Sequence, residues 1–162
     1  MKIAIGSDHA GFHLKQVLIA EMQAIGHEVF DLGAFTDEQP ADDYHLTGAQ
    51  VAERVVSGAV ERGVVICGTG IGISIAANKV PGADAALCND LFTAQMSREH
   101  NDAKVLAMGS RVVGEGLAKE ILRVWLATPF AGGRHIARNQ NLRRIEARYS
   151  RGAGTGGGGR AL

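Results

Sequence analysis

The chain is short of cysteine, proline and aromatic rings and carries no net charge; the cysteine and charge shortages each remove a class of protein. Two cysteines, Cys67 and Cys88, in 162 residues and without CxxC spacing make neither a disulfide framework nor a cysteine zinc site. They read as free thiols in a reducing compartment, and a cytoplasmic location is expected. Seventeen Lys and Arg against seventeen Asp and Glu leave no bulk positive field, so neither nucleic acid nor an anionic membrane is an expected partner. Long apolar runs are also missing. Gly and charged residues interrupt every hydrophobic segment before the roughly 18 residues that a membrane helix needs, so a soluble protein is expected. The apolar start, Met1 to Ile5, ends at Gly6-Ser7-Asp8-His9, too early for a secretory leader. His9 and His13 stand close together but lack a third ligand at a recognisable spacing, so no metal is expected. No GxSxG elbow supports a serine nucleophile.

What is present is 46% hydrophobic content, enough to fill one core without disulfide or metal staples. Short apolar runs recur at Lys2–Ile5, Glu28–Leu32, Val64–Cys67, Ala83–Cys88 and Lys104–Met108, and each is closed by Gly or a polar residue, as strands are. Between them lie segments of helical length. In Phe12–Ile25, Leu14, Val17, Leu18, Met22 and Ile25 keep a 3.6-residue period before the stop at Gly26. Further helices are expected at Leu46–Val56, Ile71–Lys79, Leu91–Glu99 and Gly116–Ala127, the last ended by Pro129. Strands this apolar are buried on both faces, which predicts a three-layer, doubly wound α/β fold with a five-stranded parallel sheet, Rossmann-like in its layering. One domain over residues 1–150 is expected. Ala34–Asp43 reads as a surface loop, and residues 151–162, with the run GAGTGGGG, read as a flexible tail.

In such a sheet, ligands bind outside the carboxyl ends of the strands. Three junctions there are unusual: Ser7-Asp8-His9, Cys67-Gly68-Thr69-Gly70-Ile71-Gly72 and Gly109-Ser110-Arg111. The glycines of the second let backbone approach a ligand, and their N–H groups at a helix start suit a phosphate or an oxyanion. A plain tight turn is the alternative. The pattern is neither GxGxxG after the first strand nor a GK[ST] loop, so the nucleotide signatures are absent. Cys67 at a strand end beside a helix start reads as a base or nucleophile, whereas Cys88, inside Ala85-Ala86-Leu87-Cys88, reads as buried and inert. His100 and Asn101 follow the fourth helix, where an imidazole serves either chemistry or the helix terminus. Arg134 and Arg138 share a helix face if Gly132-Gly133 opens a helix, and there they either grip a phosphate or form part of a solvated basic surface.

Together, GSDHAG (Gly6 to Gly11), ICGTGIGISIAANK (Ile66 to Lys79), SREHND (Ser97 to Asp102), GSRVVG (Gly109 to Gly114) and GGRH (Gly132 to His135) resemble type B ribose-5-phosphate isomerase. The resemblance spans about residues 1–149 and extends to allose- and galactose-6-phosphate isomerases. It implies that Cys67 takes a proton from a sugar carbon, that Gly68, Gly70, Ile71 and Gly72 hold the developing enediolate oxygen, and that Thr69 assists proton relay. It further implies that His100 helps open the furanose ring. Asp8, His9, Tyr44, Asn101 and Arg111 would contact the substrate, and Arg134 and Arg138 would clamp its phosphate. His45 stands where the family usually has Pro. The resemblance implies a homodimer or homotetramer whose site is shared between two subunits, acting on a small phosphorylated sugar. Hydrogen transfer between C1 and C2 needs a base, an acid and oxyanion donors but no redox cofactor, so none is expected. A sugar-phosphate sensor on the same scaffold is the alternative from another class, since fold alone does not fix chemistry.

Overall fold

The computed structural model describes residues 1–38 and 43–150. Residues 39–42 of the expected surface loop and the expected tail from Arg151 onward lie outside them. The chain divides into two compact units, one from Met1 to Phe130 and one beginning at Ala131.

The first unit alternates strand and helix: β1 (Lys2–Ser7), α1 (Phe12–Ala24), β2 (Glu28–Asp31), α2 (Tyr44–Val56), β3 (Arg62–Cys67), α3 (Ile71–Ala77), β4 (Ala85–Leu87), α4 (Leu91–Glu99), β5 (Val105–Gly109) and α5 (Glu115–Ala127). All five strands are parallel, in the order β2-β1-β3-β5-β4. The first crossover goes from β1 outward to β2, and the next returns past β1 to β3. The direction of winding therefore reverses between β1 and β3, which is where an open parallel sheet leaves a crevice at its carboxyl edge. The α/β class and the parallel sheet agree with the pattern of apolar runs. Alpha1 stops where Gly26, at φ +87°, takes the left-handed conformation that closes helices.

Alternation along the strands divides the core into two layers. Ile3, Ile5, Val64, Ile66, Leu106 and Met108 face α1, α4 and α5, with Leu18, Ile121 and Trp125 fully buried among them. Ala4, Val65, Cys67, Val105 and Ala107 face α2 and α3, against Val51, Val55 and Ile73. Each large aliphatic side chain taken fully out of water contributes about 1.5–3 kcal/mol. The second layer is thinner because its strand residues are smaller. A Cβ added at Gly63 would lie 2.6 Å from Val51 Cγ1, and one at Gly6 would strike Thr47. Alpha2 thus rests almost on the backbone of β1 and β3, directly below the crevice.

The edge strand β4 is shorter than its apolar run. It pairs with β5 alone, and on its other side Asn78 accepts from Ala85 N–H at 2.9 Å and donates to Ala85 C=O at 2.9 Å. One side chain thus occupies backbone groups that would otherwise stand open at the sheet edge. In the second unit, Gly132 and Gly133, at φ +65° and +54°, precede α6 (Arg134–Ser150). Among the described residues no helix is long and apolar enough to cross a membrane.

Candidate active site

Cys67 is the last residue of β3, and Gly68-Thr69-Gly70 turns the chain into α3. The turn closes because Gly70 adopts φ +77°, which aims its N–H back at Cys67 Sγ, 3.1 Å away. The sulfur thus has a backbone donor that would accompany negative charge on it. Ile71 N–H donates to Thr69 Oγ1 at 3.3 Å, leaving the exposed Thr69 hydroxyl beside the turn. The Arg111 guanidinium lies along Gly68, where an added Cβ would be 3.5 Å from its Nε and Cζ. Arg111 N–H donates to Gly68 C=O at 3.0 Å. On the other flank the Tyr44 ring covers Gly72, whose added Cβ would lie 2.8 Å from Tyr44 Cε2. His45 is exposed and meets Tyr44 edge-on, with ring centroids 5.7 Å apart.

The three junctions singled out in the sequence are tied to one another. Asp8 N–H donates to Ile66 C=O at 3.2 Å, and the Asp8 carboxylate accepts from Gly11 N–H at 3.0 Å, capping the one-turn helix His9–Gly11. The Ser110 hydroxyl donates to Ala10 C=O at 2.7 Å and lies 3.3 Å from Cys67 C=O. A cleft of about 240 Å³ opens next to them, walled by Asp8, Phe35, Asp43, Leu46, Thr47 and Gln50. Cys67 is not part of its lining.

His100 and Asn101 lie elsewhere. Alpha4 begins beyond the carboxyl end of β4 and runs back to the amino end of β5, so the turn after it stands at the opposite edge of the sheet from Cys67. The length of β3, about 17 Å for six residues, separates the two edges. Arg134 and Arg138 project from one face of α6, four residues apart and both exposed.

Two buried cations that the sequence reading passed over hold the loops of this unit. Lys15, fully buried, donates to both oxygens of Asp31 at 2.6 and 2.8 Å and to Ala34 C=O at 2.6 Å. It fixes the wall of the cleft that continues through Phe35. Arg98, 2% exposed, bonds Asp102 and Ala103 C=O in the turn that carries His100. A lone cation in an amphipathic helix reads as solvated; the partners of Lys15 lie in another loop, and those of Arg98 in the turn directly after its helix. Only the SREHND run offered a signal, and for Arg98 alone.

A thiol, a turn of backbone donors and a guanidinium on one sheet edge are suited to proton transfer on a small anionic substrate. Comparison with known proteins agrees. The family model described as ribose/galactose isomerase matches residues 3–142. Ribose-5-phosphate isomerase B of Escherichia coli (strain K12) is 49% identical over 147 residues, covering 91% of this chain and 97% of that one. The solved structure of Clostridium thermocellum ribose-5-phosphate isomerase B superposes with a TM-score of 0.89 at 52% identity, over 92% of this chain and 99% of the other. That of the Mycoplasma genitalium enzyme, with bound ribulose-5-phosphate, does so with a TM-score of 0.86 at 37% identity, over 90% and 96%. The chain belongs to the ribose/galactose isomerase family and is an aldose–ketose isomerase.

Proposed function

We propose that this isomerase interconverts ribose 5-phosphate and ribulose 5-phosphate through an enediolate, with Cys67 as the base. The observation that carries the reading is the Gly70 N–H aimed at Cys67 Sγ, at the carboxyl edge of β3 beside Arg111. A thiolate there removes the proton from C2 of the open-chain aldose, and the electrons move to the C1 oxygen. Backbone N–H groups from Gly68 to Gly72 receive that oxyanion. Thr69 passes a proton between O2 and O1, and the proton returned to C1 completes the ketose. Hydrogen moves from C2 to C1 within one molecule, so oxidation at one carbon balances reduction at the other and no redox partner enters.

In this reading Asp8, His9 and Tyr44 hold the sugar, with Asn101 and Arg111 as further contacts. His100 opens the furanose ring, and Arg134 and Arg138 grip the phosphate, which lends binding energy to the chemical step. Residues 1–150 act as one isomerase domain, in a reducing cytoplasmic setting that suits two free thiols. The opposite placement of Cys67 and His100 in one chain supports a site shared between two copies in a homodimer or homotetramer. Exposed Ile71 and Ile75 on α3, at 53% and 54%, lie just behind the Cys67 turn and give a second copy apolar surface to cover.

The test is a panel of ribose, allose, galactose and tetrose phosphates at equal concentration, read as kcat/KM for ketose formation. Ribose 5-phosphate should lead. A larger value for any other member overturns the pentose assignment and leaves the isomerase chemistry standing. With Arg134→Ala or Arg138→Ala, loss of a charge-assisted contact should weaken the sugar phosphate roughly 10- to 150-fold. Unchanged binding in both variants removes the clamp.

A further inference from the structure

Arg98 has more structure around it than the end of a helix requires. Its guanidinium is 2% exposed. Nη1 donates to Ala103 C=O at 2.9 Å, Nη2 pairs with Asp102 Oδ1 at 2.8 Å, and the group lies 5.7 Å from the centre of the Trp125 indole. Backbone bonds continue the closure, with Asp102 N–H to Arg98 C=O and Ala103 N–H to Ser97 C=O, both at 3.0 Å. Inside that loop of bonds stand His100 and Asn101. Asp102 is the one non-glycine residue of the described chain at positive φ, +49°.

A buried ion pair is poor evidence for stability, because apolar residues of the same volume commonly do as well. It does fix one conformation. Backbone held in a sparsely populated region clusters at functional sites, where the surroundings over-determine it. Glycine would relieve the conformation at 102 but would remove the carboxylate that meets Arg98. The sequence keeps the carboxylate.

We propose that Arg98 is a positioning residue, whose bonds to Asp102 and Ala103 hold the turn in the single conformation that presents the His100 imidazole to the sugar. The proposal rests on the reading of His100 as a group that acts on substrate. Arginine is needed because its planar fork serves two acceptors at once, whereas the ammonium of lysine is a point charge on a flexible stem.

A double-mutant cycle on the assembled enzyme tests this. Arg98→Lys should lower kcat for ribose 5-phosphate about tenfold while KM stays within about twofold, the signature of a lost alignment and not of lost binding. In a His100→Ala background the same change should lower kcat less than about twofold, since no imidazole remains to be aligned. Asp102→Ala should behave as Arg98→Lys does, and Asp102→Asn should recover most of the loss, because Asn tolerates positive φ and still accepts from Arg98. The Asp102 pair carries the test if Arg98→Lys does not assemble. If His100→Ala is impaired and the two losses simply multiply, Arg98 is structural and the proposal is overturned. Parent-like activity in His100→Ala defeats the reading of His100 itself, and the positioning role with it.

Discussion

Cys67 and Cys88 are the same chemical group at corresponding places in the fold, each at the carboxyl end of a parallel strand and each with little exposure, 6% and 1%. Their surroundings differ. Cys67 closes the central strand β3 and faces a turn whose glycine N–H points at its sulfur. Cys88 follows the edge strand β4 and packs into the α1, α4 and α5 layer, with Ala86 C=O 3.7 Å from its sulfur. Burial pushes the Cys88 thiol up, against smaller opposing effects of the Ser97 and Thr93 hydroxyls. Corresponding positions in a fold thus give two thiols different surroundings, and burial and the polar atoms around each sulfur make the difference.

The sharpest contrast should come from replacing each sulfur by oxygen. Cys67→Ser should cost roughly 10²- to 10⁴-fold in kcat, the range of a lost acid–base group, with sugar phosphate binding kept. Cys88→Ser should leave turnover within about threefold, since that side chain touches no part of the site. Steady-state rates and direct binding of the two purified variants decide the matter. Equal losses would end the distinction between the thiols.

The turn that separates the cysteines gives the next effect. Gly70 serves Cys67 with its N–H, and a Cβ there would strike the Leu87 side chain and come 2.9 Å from Met108 C=O. Gly70→Ala should therefore destabilise by about 2–5 kcal/mol, from left-handed strain plus overpacking. Gly58 has nearly the same φ, +76°, with nothing within 4 Å of its added Cβ. Gly58→Ala should cost only about 1–2 kcal/mol, the strain alone. Urea unfolding of the pair separates packing from backbone conformation, and similar midpoints would refute the packing argument.

The smallest effect is kinetic. Iodoacetamide should label Cys67 first, with protection by ribose 5-phosphate, because each unit by which burial raises the Cys88 thiol cuts its thiolate fraction about tenfold. The sign fixes the pH profile. A raised thiol stays protonated to higher pH, so the Cys88 rate should still be climbing above about pH 8.5, where an ordinary thiol begins to level off. Peptide mapping after brief labelling reads both rates. Equal labelling at pH 7 would remove the case for an activated Cys67.

Much of this was legible in the sequence. The strand runs, the stop at Gly26 and the helix Leu91–Glu99 follow from periodicity and punctuation, because burial on both faces writes itself into continuous apolar segments. The junction residues Asp8, Cys67 and Arg111 were legible for a related reason, since a parallel sheet puts its polar breaks at one edge. The length of β4 was not, because an edge strand extends only as far as its ladder with β5, and an apolar run does not show where that ladder stops. Lys15 was missed because its partners Asp31 and Ala34 lie in another loop that no local pattern links to it, whereas the i,i+4 spacing of Arg98 and Asp102 was readable and only the depth of their burial was not. The separation of His100 from Cys67 was legible as well, since a helix joining two parallel strands runs from the carboxyl edge of the sheet back to its amino edge.

The Ser110 hydroxyl makes β1, β3 and β5 a single mechanical part at their carboxyl ends, through Ala10 C=O and Cys67 C=O. The junctions that carry Asp8, Cys67 and Arg111 are therefore tied side by side, like teeth on one gear. On the function proposed above, a closing motion over the sugar would belong to segments outside that block. On that reading the edge is an anvil, and selection for a different sugar would act first on what strikes it.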